Sequence, residues 1–105
     1  MKEFYIAGVQ FHKSAIVQDR LKQGMELLIR PEPNNKYDPN AVALIFNNEG
    51  KEDDVMMGYV PAKISGEVTA ILLTTDNVKC ILTEVNLNAK TWERFKVKIV
   101  ENEDE

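Results

Sequence analysis

Cysteine and histidine are almost absent, with one of each in 105 residues. A single thiol excludes an internal disulfide framework, and the two residues together cannot build a Cys/His zinc site. No apolar run is long enough to span a bilayer, and the N-terminus lacks the apolar core of a signal peptide. A reducing, cytoplasmic setting is expected. The enzymatic constellations are missing too: there is no paired-carboxylate, Ser/His or Cys/His arrangement and no phosphate-cradling glycine loop. Metal-dependent nuclease chemistry needs several converging carboxylates, and the central loop offers only Glu32 and Asp38. That loop also lacks the spaced acids of a calcium loop. The expectation is a non-enzymatic protein without cofactor or metal. There is no internal repeat, low-complexity segment or second-domain boundary. One domain over residues 1–100, followed by an acidic, disordered tail over 101–105, accounts for the length.

What is present is an ordinary globular composition, 44% hydrophobic and 29% charged, with a net charge of −4. The acids are clustered. Setting aside Glu101, Glu103, Asp104 and Glu105 leaves 13 acids against 13 bases. A second cluster, Glu49, Glu52, Asp53 and Asp54, reduces the remainder to nine acids against 13 bases. Binding follows the local field rather than the total, so the charge balance leaves room for a basic face.

Strand-like segments dominate. Phe4 to Phe11 is rich in aromatic and β-branched residues and reads as a strand, with Phe4, Ile6, Gly8 and Gln10 on one face. Ser14 to Leu21 reads as a loop or short helical turn. Met25 to Arg30 forms a second strand, and Asn40 to Phe46 a third that is apolar on both faces, as a central strand would be. A turn at Asn47-Asn48-Glu49-Gly50 leads to a short strand from Val55 to Val60. Pro61 suits a helix start, and Ile64, Val68, Ile71 and Leu72 recur at helical spacing across Ala62 to Leu73. Val78 to Leu87 and Thr91 to Val100 form a hairpin. In its second arm Phe95, Val97 and Ile99 alternate with Arg94, Lys96 and Lys98, giving a buried face and a basic one. Cys80 falls in an apolar run where a buried thiol is expected, and His12 reads as a surface or packing residue. The fold class is mainly β: five to six strands in a small, partly open, OB-like barrel with one or two short helices.

Between the second and third strands lies Arg30-Pro31-Glu32-Pro33-Asn34-Asn35-Lys36-Tyr37-Asp38-Pro39-Asn40. Its prolines fix φ and remove backbone donors, so its centre can be neither helix nor inner strand. The stiffened loop holds amides, a phenol and a carboxylate in place before any ligand arrives. Leu28, Val42 and Leu44, or their alternates, should be buried beneath it. The order Arg30-x-Glu32-Pro33-Asn34-Asn35-x-Tyr37-Asp38-x-Asn40-Ala41-Val42, after Gly24-x-x-Leu27 and before Gly58-Tyr59-Val60-Pro61 and a helix, resembles the HIRAN domain. That family stands at the N-terminus of certain DNA-remodelling ATPases and also occurs as stand-alone bacterial and phage proteins. The likeness runs from Gly8 to about Val97; Pro31 is an extra residue within its Arg-Glu-Pro element.

The resemblance implies a barrel related to the oligonucleotide-binding fold, which in eukaryotic members captures the 3′-hydroxyl end of single-stranded DNA. On that basis Asp38 would accept a sugar hydroxyl, with Asn34, Asn35 and Tyr37 positioning sugar, base edge or phosphate. Gln10 and Phe11 fall where DNA-binding members carry an arginine and a stacking aromatic, and Trp92 falls near a second aromatic of the base pocket. Tyr59 stands at the place of a phosphate-contacting histidine, with Lys63 the nearest cation. Gln10 and Tyr59 thus lack the family's phosphate-binding charge.

Each of these residues also has a structural reading. Phe11 and Trp92 can serve as core or rim aromatics, Asp38 and Asn40 as caps of the turn, and Tyr37 as packing under the loop. Two functions from different classes follow. One is a module that grips single-stranded DNA, with a DNA-processing protein as a further partner. The other is a protein-interaction adaptor that kept the barrel and lost the DNA site. Nothing in the sequence fixes an oligomeric state.

Overall fold

A computed structural model describes residues 2–12, 14–47 and 54–101. Six strands, β1 (Lys2–Tyr5), β2 (Glu26–Pro31), β3 (Val42–Phe46), β4 (Val55–Tyr59), β5 (Val78–Val85) and β6 (Phe95–Glu101), form one antiparallel sheet in the order β1-β6-β5-β2-β3-β4. Two helices accompany it, α1 (Ser14–Val17) and α2 (Ala62–Thr74). The sheet curls until its two edges touch. Ala7, just past β1, donates its N–H to the Tyr59 carbonyl at 2.8 Å, and Tyr59 returns the bond at 2.9 Å. This single bridge is the seam of the half-barrel.

Gly58 makes the seam possible. Its φ is 156°, and a Cβ there would lie 2.4 Å from the Ala7 carbonyl oxygen and 2.7 Å from Ile6 Cγ2. Only a residue without a side chain lets β4 approach so closely. The glycine that interrupts the strand pattern is therefore what closes the sheet.

β3 lies between β2 and β4 with all five residues buried, as its two-faced apolar pattern requires. Phe95, Val97 and Ile99 point into the core from β6, and Cys80 and Leu82 meet them from β5. Burial pushes the Cys80 thiol up to about 12, so it stays protonated at neutral pH. Along α2, Val68 is buried while Ile64, Ile71 and Leu72 pack partly against the core. Pro61 sits just outside the helix as its N-cap residue.

The last strand, expected from Thr91, begins at Phe95, because Thr91–Glu93 winds into a 3-10 turn. Four further details depart from the sequence reading. The first strand ends at Tyr5, because Gly8 adopts a left-handed conformation (φ 72°) and the chain turns into a 3-10 turn at Val9–Phe11. Val9 is then buried and Phe11 exposed, which breaks the alternation expected across Phe4 to Phe11. Second, Leu27 and not Leu28 is the buried residue of its pair, with Leu28 39% exposed. Third, Pro31 belongs to a strand. The Glu32 N–H bonds to the Ala41 carbonyl, so the N–H position of Pro31 faces away from β3. On that side β5 pairs only with Glu26 and Leu27, and the missing donor costs nothing. Fourth, β6 includes Glu101, one residue past the expected domain end. The rest of the tail and the expected turn at residues 48–50 lie outside the described residues.

Candidate nucleic-acid interface

The central loop, Glu32 to Ala41, is a surface loop tied down by its own side chains. The Asn35 side-chain oxygen accepts the backbone N–H groups of Tyr37 (2.8 Å) and Asp38 (3.1 Å). Asp38 Oδ1 accepts the Asn40 N–H at 2.8 Å, which fixes the return into β3. Helix α2 braces the same segment. The Ser65 hydroxyl lies 2.7 Å from Asp38 Oδ2, and the Thr69 hydroxyl, one turn further on, donates to the Asn40 carbonyl at 3.0 Å. Asp38 is therefore a cap of the turn and a tether to the helix.

Glu32 ties the loop to the seam. Its Oε1 accepts the Tyr59 hydroxyl at 2.7 Å and the Asn35 side-chain amide at 3.2 Å, and Arg30 lies 3.7 Å from its Oε2. The Tyr59 hydrogen bond, with help from Asn35 and Arg30, outweighs the cost of partial burial and holds the Glu32 carboxyl below its usual range. The same bond, with burial and the carboxylate's charge, raises the Tyr59 phenol above its usual range. The His12 ring meets the Tyr59 ring edge-on, with centroids 5.7 Å apart.

Between loop and seam lies a groove of about 260 Å³. Ala7, Gly8, Ala41, Val60 and Ala62 supply small apolar surfaces, and Asn35, Tyr37, Asp38 and Tyr59 supply the polar groups. Ala62 is the first residue of α2, which has no side-chain cap. The Ile64 N–H closes onto the Pro61 carbonyl at 3.0 Å, and the helix dipole favours an anion near the amides that precede it. Three cations, Arg30, Lys36 and Lys63, stand on the loop, the end of β2 and the first helical turn, against Glu32 and Asp38.

Of the residues singled out from sequence, Asn35, Tyr37, Asp38 and Tyr59 come together as groove lining. Tyr37 is 93% exposed, so its ring stands at the rim rather than packing under the loop. Lys63 is exposed one residue beyond Ala62, and Asn34 is exposed within the loop. Gln10 and Phe11 lie on the 3-10 turn Val9–Phe11, which neighbours a second 3-10 turn, Thr91–Glu93, carrying Trp92. Phe11 is 79% exposed and Trp92 53%, with Lys90 Nζ over the indole at 5.6 Å. These two aromatics are exposed on neighbouring turns and do not line the groove. Sequence reasoning passed over Glu32, Ser65 and His12 as site residues. Glu32 meets Tyr59 across 27 positions, and no local pattern announces such a pair.

A family model described as the HIRAN domain matches residues 1–103. Two solved structures share the fold. A Lactobacillus plantarum protein aligns with a TM-score of 0.76 at 16% identity, covering 94% of this chain and 89% of its own. The HIRAN domain of human HLTF aligns with a TM-score of 0.68 at 14% identity, covering 93% of this chain and 71% of its own. No curated protein matches the chain.

Proposed function

The chain belongs to the HIRAN domain family, and from that premise we propose that it is a non-enzymatic module binding the 3′-hydroxyl end of single-stranded DNA. The family assignment supports DNA as the ligand class. The observation that carries the finer reading is the groove's lining. The Asp38 and Tyr59 oxygens offer lone pairs suited to a hydroxyl. Asp38 is held against the first turn of α2 by Ser65, and Lys63 on that same turn suits a neighbouring phosphate. A terminal nucleotide carries both groups, a free hydroxyl and a bridging phosphate. The small apolar surfaces of the groove leave room for a sugar, while Tyr37, Phe11 and Trp92 are exposed for stacking. Asp38 and Glu32 are each engaged in internal hydrogen bonds, which suits recognition more than proton transfer.

Fluorescence anisotropy with one oligonucleotide ending in 3′-hydroxyl or in 3′-phosphate tests this. The hydroxyl-ended strand should bind more tightly, because a carboxylate accepts from a hydroxyl and repels a phosphate. The salt slope should be shallow, since few cations are near. Asp38→Asn, which keeps an acceptor for the Asn40 N–H, should erase most of the preference. Equal binding of both strands would overturn end recognition. Binding of neither would favour a protein-interaction adaptor.

A further inference from the structure

We infer that Glu32, one layer behind the groove, sets the groove wall as a hydrogen-bond acceptor and thereby excludes a terminal phosphate, a positioning role distinct from that of Asp38. The inference rests on the DNA-end reading and names a determinant of its selectivity.

A phenol has one proton to give, and that of Tyr59 goes to Glu32 at 2.7 Å. What the Tyr59 oxygen keeps for a ligand is lone pairs. Asn35 is oriented by the same carboxylate: one amide hydrogen goes to Glu32, and its oxygen is occupied by two backbone N–H groups. The Asp38 oxygens already accept from Asn40 and Ser65 and offer a ligand further lone pairs. A terminal phosphate pressed into this corner meets chiefly oxygens facing oxygens, with the second Asn35 amide hydrogen set against the carboxylates of Glu32 and Asp38. A terminal hydroxyl meets acceptors waiting for its proton. Phosphates inside the strand avoid the conflict, because only the terminal group enters this corner.

The alternative is that Glu32 merely staples the loop, in which case its loss weakens both ligands alike. Selectivity separates the two. Glu32→Ala frees the Tyr59 proton to turn toward the groove and removes a negative charge. The affinity for a 5′-fluorescein oligothymidine ending in 3′-phosphate should then rise roughly tenfold, the effect of one hydrogen bond to a charged group. The hydroxyl-ended strand should change little. Adding Tyr59→Phe should cancel most of that gain, since the freed proton is gone, and leave only the smaller part due to the lost charge. Glu32→Gln, which keeps an acceptor for Tyr59 but no charge, is the gentler variant if the alanine protein unfolds, and should narrow the preference in the same direction. An unchanged preference in both Glu32 variants, with wild-type end selectivity intact, would overturn this inference alone. A gain that persists undiminished in the Tyr59→Phe background would also overturn it. Wild-type protein that binds neither strand would remove the DNA-end reading and this inference together.

Discussion

The groove and the outer face of the β1–β6–β5 sheet carry the same kinds of side chain and use them oppositely. On the outer face, charges meet their opposites across strands: Glu3 stands beside Lys98, and Glu84 beside Lys96. The Lys96 ammonium also lies 5.2 Å from the Tyr5 ring centre, and the Thr83 hydroxyl donates to Glu3. The basic stripe expected from Arg94, Lys96 and Lys98 is thus diluted by acids from neighbouring strands. At the groove, Glu32 and Asp38 are satisfied chiefly by neutral hydroxyls and amides, with Arg30 only at 3.7 Å. A carboxylate paired with a cation cancels a field; one paired with a hydroxyl keeps its charge and gains a fixed position. Proximity of charge therefore says less about function than the chemistry of the partner.

Breaking the seam should have the largest effect. Gly58→Ala places a methyl group against the Ala7 carbonyl and should cost roughly 3 kcal/mol or more of stability, read as a lowered urea midpoint. If the protein still folds, it should lose DNA binding first, because Ala7, Gly8 and Tyr59 shape the groove.

A smaller effect comes from pH and sharpens the contrast. Glu32 is held below its ordinary value of 4.5, so its contribution is complete above that value and is lost as pH falls through its folded value. Tyr59 is held above 10.0, so its contribution is complete below that value and is lost as pH rises through its folded value. Glu32→Gln should flatten both flanks of a plot of urea midpoint against pH. Steep flanks surviving in the variant would assign them to other groups.

The smallest effect belongs to the outer face. Lys96→Ala or Lys98→Ala should shift stability by no more than about 0.5 kcal/mol, and anisotropy should show DNA affinity nearly unchanged. A large loss of affinity would extend the interface onto the sheet.

Period and punctuation made much of this structure legible. Alternation placed Phe95, Val97 and Ile99 inside, helical spacing found α2, and the prolines marked the loop. What escaped was set by distant partners. The turn at Gly8 exists because Ala7 must meet Tyr59, and nothing local to Phe4–Phe11 requires it. Pro31 enters a strand because β5 diverges beyond Leu27. Leu27 and Leu28 are chemically alike, so only the register decides which one is buried. At the site, the residue types in the loop were readable while their hydrogen-bond partners were not: Ser65 and Tyr59 each reach the loop from 27 positions away.

The seam also has a kinetic consequence. β1 joins the two ends of the chain, pairing Lys2 with Ile99, and the bridge then ties Ala7 to Tyr59. Contacts so far apart along the chain carry a high loop-closure cost, and they form slowly. The hairpin of β5 and β6 and the hairpin of β2 and β3 can zip early, because their partners are neighbours in sequence. The groove exists only once the last edge has closed. Ligand capture would then report completion of folding itself, and a chain caught midway would carry every residue of the interface without possessing one.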